Sequence, residues 1–520
     1  MRHRVRASVF LAFVMAACSR TPPPAAPTGP TIGQRLVSAD TLVREGCLDC
    51  LIEAHGQYET LRTLPGGEEQ GTAGAIRSAA LIALRERELG MADDGYLEKA
   101  RMLLSADASQ PAWVATALAV IDALPTGGAP TGAITSDAGL ERSRILRTNT
   151  ETWSNVLRDR APIDELAAYA WLALACTTGD ARTLTLDAIV EPTSTFSAAP
   201  LIAFRRATCR GVSAEALQAI LSHDPRFVEV QFYLGRRDVA LLVSGQDRLE
   251  DAERAFDAAF AWHPVWPALT QAIANLAMTL EDFGRAVIFY ERTLSVEAHS
   301  ADALLGKARA LTYVGRSVDA IATVDQLMAE RWFLGDAHFW RALNLYELER
   351  YDEAWTDIEA AAKLLVNAEV PKLAGRIAYS RHQLDVSRVK FEESHERKPD
   401  DCEAGYYLGV VLAELREWPR TATVLIDTAA CLAEAEHGYE ADIAKIAAST
   451  EPSARRESKI ARRQQYIANG RRQMATAWFD TAIAYYNLSQ RDEARIFAEK
   501  VVDDQQFGVR ARELLSRLGK

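Results

Sequence analysis

Apolar and small residues recur at helical spacing through the carboxy-terminal half of the chain, and the pattern itself repeats. Ala252, Ala286, Ala320 and Ala354 fall 34 residues apart, each near the start of a segment whose apolar periodicity predicts a helix. Twelve residues before them stand Ala240, Ala274, Ala308 and Ala342, in segments that predict a preceding helix. Small residues at both marks let the two helices of a hairpin approach closely, where large ones would hold them apart. An interval kept across several turns marks a stack of hairpins, each burying its apolar ridge against its neighbours.

The register continues, one residue short, through Gly375, Ser387, Phe391, Ser394 and Pro399, then through Leu408, Leu412, Thr421 and Leu425. A last unit forms around Trp478, Ala482, Tyr485, Ala494, Ala498 and Val501. Residues 508–518 predict a capping helix with Val509, Leu514, Leu515 and Leu518 on its covered side. The front of the chain also reads as helical hairpins, with weaker register, interrupted by a Gly/Pro-rich loop between Leu124 and Gly139. Asp224-Pro225 is a helix stop. In the segment opening at Phe227, either Gly235 or Ala240 is the close-packed small residue.

Between 435 and 470 the pattern breaks. Glu451-Pro452-Ser453 interrupts a helix ahead of the charged run Arg455 to Arg463. Mixed charge of this kind is ordinarily the wet face of a connecting helix, with Ile460 and Ile467 supplying apolar contacts; the other reading is a surface for an anionic partner. The expected organisation is therefore a divergent helical-hairpin region over 36–225, a regular array over 226–434, a helical connector over 435–474, and a terminal repeat with its cap over 475–520.

The residues at the regular marks resemble the tetratricopeptide repeat family. The first clear copy carries Ala240, Ala252, Phe256, Ala259 and Pro264; the second Ala274, Ala286 and Tyr290; the third Leu304, Ala308, Leu311, Ala320 and Val324; the fourth Ala342, Leu345, Ala354, Ile358 and Ala361. The resemblance implies an all-α, tetratricopeptide-like helical-hairpin solenoid. It also implies a groove lined by the first helices, on which Gln271, Asn275, Asp302, Arg309, Asp336, Phe339, Tyr346, Lys372, Arg376, Tyr379, Glu403, Tyr406, Phe479 and Tyr486 are candidate partner-binding positions. For Phe339, Tyr346, Tyr379 and Tyr406, core packing is the competing explanation. Gln271 stands where the family's carboxylate clamp has a basic residue, so capture of a free peptide C-terminus is not expected.

The amino terminus reads as a processing signal. Arg2, Arg4 and Arg6 precede the short apolar stretch Val9 to Met15, and Ala16-Ala17-Cys18 supplies small residues for cleavage. Met15-Ala16-Ala17-Cys18 resembles the bacterial lipoprotein signal, with Met15 where that family prefers Leu. The resemblance implies a signal peptide over 1–17, acylation of Cys18 and membrane residence through it. A Pro-rich tether then extends over 18–35. Ser19 lacks the Asp that resembles an inner-membrane retention signal, which implies outer-membrane attachment facing the periplasm. The competing reading is a secreted soluble protein cleaved beside an incidental Cys.

Composition refines this. Lys and Arg number 59 against 71 Asp and Glu, a formal charge of -12 that becomes -15 once residues 1–17 are removed. Such a balance offers no general attraction to a phosphate backbone, and no nucleic-acid partner is expected. Cys47-Leu48-Asp49-Cys50 has redox or metal spacing but lacks a second pair or a strand-helix setting; Cys47 is read as a helix cap and Cys50 as packed, with a local disulfide as the other option. Cys176, Cys209, Cys402 and Cys431 are read as separate small core residues. Nine His show no compact ligand spacing, and no nucleophile elbow or phosphate loop stands out. No catalytic residue, metal or cofactor is assigned. The expectation is a membrane-anchored protein-protein interaction scaffold in the bacterial envelope, its partner an unidentified envelope protein or peptide. The alternatives are an enzyme with an unrecognised amino-terminal catalytic region, or a glycan-binding lipoprotein.

Overall fold

The computed structural model describes residues 29–91, 93–107, 109–125, 137–161, 163–178, 200–209, 212–244, 246 and 248–519. The signal segment, Cys18, most of the tether, and residues 126–136 and 179–199 lie outside the described residues. Within them all regular structure is helical, and no helix is long and apolar enough to cross a membrane. The chain forms two compact units that meet in sequence at Phe227 and Val228, with the stretch 86–92 grouped in the second.

The first described helix of the first unit is Ile32–Glu45. Thr31 caps the Ile32–Glu45 helix: its hydroxyl accepts from the Gln34 N–H while the Gln34 side chain accepts from the Thr31 N–H. Cys47 caps the next helix, Leu48–Leu61, its sulfur accepting from the Cys50 N–H at 3.0 Å. Both cysteines are buried and joined to each other, so cap and disulfide coincide. Further helices run over Glu68–Leu89, Tyr96–Ala106, Ala112–Ala123, Asp137–Arg158, Glu165–Thr178, Pro200–Cys209 and Ala214–His223. Arg85 is wholly buried among them; its guanidinium donates to the Tyr169 hydroxyl at 3.0 Å and lies 4.1 Å from the Phe204 ring.

The reading of four separate core cysteines is corrected. Cys176 pairs with Cys209 and Cys402 with Cys431, across Cα separations of 5.3 and 5.6 Å. The pairs lie 33 and 29 residues apart. Helix packing, rather than any local spacing, brings them within bonding reach.

The second unit is a helical solenoid of hairpins. Its first and second helices are Glu229–Val243 with Leu249–Trp262, Pro267–Thr279 with Phe283–Val296, Ala301–Tyr313 with Ser317–Ala329, Leu334–Glu347 with Tyr351–Ala362, and Glu369–Ser380 with Leu384–Arg397. Cys402–Glu414 with Trp418–Ala447, then Ser453–Asn487 with Arg491–Glu499, follow before the Gly508–Leu518 cap. Ala252, Ala286, Ala320 and Ala354 are all fully buried, as are Ala274, Ala308 and Ala342. Ala240 is exposed. Gly235 takes its place, pressed by the Phe256 ring so closely that a Cβ there would lie 2.5 Å from it. The extra length of the Glu229–Val243 helix thus displaces the small mark from its regular position.

Six first helices are followed at the same mark by a left-handed residue: Glu281, Gly315, Glu349, His382, Arg416 and Ser489, with φ of 59°, 76°, 59°, 57°, 61° and 61°. Of these Gly315 is the glycine, so the others occupy a conformation that side chains ordinarily avoid. Successive first helices then contact one another more closely than successive second helices do, which makes the first helices the inner face of the array. At the far end Ala511, Leu514 and Leu518 cover the last repeat, whereas Val509 is 63% exposed. The cap therefore covers the repeat along the 511–514–518 line, and Val509 falls outside it.

Ala320 has no exposed surface and belongs to the buried cluster that includes Val287, Tyr290 and Leu311. Ala320→Leu is expected to lower stability by about 1–3 kcal/mol through overpacking. Urea denaturation of the full chain measures this, and an unchanged midpoint would contradict the register.

Candidate functional site

The two longest helices, Trp418–Ala447 with 30 residues and Ser453–Asn487 with 35, belong to neighbouring repeats. The helical stretch 435–474 belongs to both of them, and the chain breaks between them at 448–452, where Glu451-Pro452 interrupts the helix. They pack against each other along their length, forming a strut that reaches back to the opening repeats of the array. Lys459 paired with Glu451 at 2.9 Å, and Arg456 donating to the Ser449 carbonyl at 2.8 Å, fasten the bend at its tip.

The charged run 455–463 makes the attachment. Arg455 pairs with both oxygens of Glu253, at 2.7 and 3.2 Å, and Arg285 adds a third contact at 3.1 Å. Arg462 and Arg463 converge on Glu281, at 2.5 Å and at 2.6 and 2.9 Å. Arg462 also lies 4.7 Å from the Phe283 ring, and Arg463 reaches Asp442 on the strut. The reading of this run as a wet face is corrected: its arginines are largely covered and bound within the chain. Burial opposes ionisation of Glu253 and Glu281, but the guanidinium hydrogen bonds outweigh it and hold both carboxyls below their ordinary 4.5. Glu281 combines this role with the left-handed turn that ends its helix.

Between strut and repeats lies a chamber of about 840 Å³. From the repeat side come Asn275, Phe283, Tyr290, Arg309 and Tyr313; from the strut come Tyr439, Asp442, Gln465 and Tyr466. The Tyr290 hydroxyl donates to Asn275 Oδ1 at 2.6 Å. Its ring lies against Gly306, where a Cβ would come within 2.2 Å of it, so glycine there admits the tyrosine. Burial pushes the Tyr290 phenol up to about 12.

Of the groove residues expected from the sequence, Asn275 and Arg309 reach this chamber, one repeat apart and both exposed. Gln271 is half-buried on the same helix as Asn275. Farther along, side chains chiefly satisfy one another. Lys372 meets Glu369 and Asp401 at 2.9 Å and Glu403 at 3.3 Å, which raises its pKa despite burial. Arg376 lies 3.6 Å from Glu403 and 4.7 Å from the Tyr346 ring. Tyr379 donates to Glu414, and Phe339 stands edge-on to Trp340. Tyr406 is half-buried against Tyr407. Nearby, burial pushes the Asp480 carboxyl up to about 6. Phe479 is core, stacked on Phe507, while Tyr486 is 40% exposed. Phe283, Tyr313, Tyr439 and Tyr466 escaped sequence reasoning because two of them belong to the strut and two flank the turns between paired helices.

No protein-family model and no curated protein matches the chain. Solved structures similar to it include a tetratricopeptide repeat protein from Parabacteroides merdae ATCC 43184, 16% identical over 56% of this chain and 99% of that one, with a TM-score of 0.34. YrrB, a TPR protein with an unusual peptide-binding site, is 15% identical over 50% and 98%, with a TM-score of 0.26. The APC/C hetero-tetramer Cut9-Hcn1 is 10% identical over 94% and 90%, with a TM-score of 0.36. At these scores the architecture rests on the chain's own register and hairpin contacts.

Because both clasp carboxyls titrate below 4.5 in the closed state, their contribution is complete above that pH and is lost as pH falls through the lowered values. Glu281→Gln is expected to mimic that loss at pH 7, raising hydrogen exchange over residues 449–466 about tenfold while the repeats at 301–362 stay protected. Equal protection of 449–466 in both proteins would sink the clasp.

Proposed function

We propose that this chain is an exported, lipid-anchored interaction scaffold of the bacterial envelope that engages a protein partner along the inner face of its hairpin array. The observation that carries this reading is the alignment of the first helices on one face. Asn275, Arg309, Tyr313 and Tyr486, exposed side chains on those first helices, support it. Aromatic and guanidinium groups offer large contact area and directed hydrogen bonds at little entropic cost, which suits recognition of a protein segment.

Export is supported by the cysteines. All six described ones are paired, and disulfides persist in oxidising compartments. The positive start, apolar stretch and Met15-Ala16-Ala17-Cys18 of the sequence agree with that address, and acylation of Cys18 would hold the array at a membrane surface.

Two experiments test the proposal. A photo-crosslinking residue at Arg309 or Tyr486 in living cells is expected to yield discrete protein adducts, whereas one at exposed Glu359 on a second helix is not. Adducts that are absent at the inner positions, or the same at all three, would remove the reading. Separately, Cys18→Ser is expected to abolish incorporation of labelled palmitate and move the protein from the membrane to the soluble fraction. A variant that stays with the membrane would refute the lipid anchor.

A further inference from the structure

Two pairs of aromatic rings line the chamber, one from each side. Phe283 and Tyr313 stack at 4.5 Å with planes 19° apart, both on the repeat side. Tyr439 and Tyr466 lie 5.4 Å apart, inclined at 46°, both on the strut. Tyr313 and Tyr466 keep 52% and 42% of their surface exposed. Rings left open on both walls of one cavity retain much apolar surface that a flat ligand would cover.

Charge narrows the ligand further. Three arginines line the chamber, and two of them, Arg462 and Arg463, are engaged by Glu281 and Asp442. Arg309 makes no ion pair among the described residues; its guanidinium lies 5.6 Å from the Trp340 ring. The cavity therefore holds one uncompensated positive charge, inside a chain whose formal charge is -12. The site is a solvent-open cleft of about 840 Å³ with mixed aromatic and polar walls, within the size range of small-molecule sites.

We infer that the chamber is a binding site for a small organic anion bearing an aromatic ring, held between the Phe283/Tyr313 and Tyr439/Tyr466 walls with its charged group on Arg309. Half of the site belongs to the strut, so the Glu281 clasp is a condition of binding. The ligand would share Arg309 and Tyr313 with the inner-face contact proposed above, and the two readings part at the strut: a protein partner needs only the inner face, whereas this ligand needs the closed strut.

The probe is 1-anilinonaphthalene-8-sulfonate, an aromatic anion that fluoresces when desolvated, with 1-N-phenylnaphthylamine as its uncharged counterpart. The full mature chain is expected to show one saturable site for the sulfonate. Arg309→Gln, at an exposed position, should weaken the sulfonate about tenfold or more and leave the neutral probe nearly unchanged. Tyr466→Ala should weaken both probes, and Glu281→Gln should remove the saturable site. Circular dichroism confirms that each variant folds. A sulfonate affinity unmoved by Arg309→Gln would overturn the proposal, whatever the other two variants do. Displacement of the probe by a short peptide rich in Phe and Asp, but not by 2-naphthoate, would overturn the small-molecule class in favour of a peptide.

Discussion

Two helices lie only as close as the bulkiest residue between them allows, and along this array that residue is alanine or glycine. Ala252, Ala286, Ala320 and Ala354 have no exposed surface, and Gly235 admits the Phe256 ring where alanine would collide. Thin hairpins result, and thin hairpins stack in one direction. The first helices gather on the inside, and the strut is clasped to two of the hairpins through Glu253 and Glu281.

The second constraint is electrostatic and acts over a long stretch of chain. Glu253 and Glu281 meet arginines 202 and about 180 residues away in sequence. Pairs this covered are only weakly screened by salt compared with surface pairs, and removing one partner leaves a guanidinium without its acceptor. Multiple contacts on each carboxylate make them attachment points, in contrast to the many surface pairs formed within a single helix turn, such as Arg350 with Glu353.

The array was legible in the sequence because its information is local and periodic: one interval, repeated, fixes helix pairs, small contacts and the covering helix. Where a local rule was broken, reading stopped. An inserted length in Glu229–Val243 moved the small contact from Ala240 to Gly235. The disulfides Cys176–Cys209 and Cys402–Cys431 depend on packing between helices and leave no spacing to read. Register placed Asn275 and Arg309 on the inner face but was silent about the strut. A charged run tells which faces of a helix are polar, not what lies opposite. Arg455 and Arg462, seven apart and so on one face, were the only sign that this run had a destination. Lys372, Arg376 and Tyr379 were found by the same register and are engaged within the chain, by Asp401, Glu403 and Glu414.

The Ser453–Asn487 helix has no break over 35 residues, a rod about 50 Å long at the usual rise. One end carries Arg455 and Arg462; the other is the first helix of the terminal repeat, where Phe479 stacks on Phe507. One uninterrupted helix therefore ties the clasp to the terminal repeat, so the carboxylates of the opening hairpins and the covering helix at the far end are anchored to the same element.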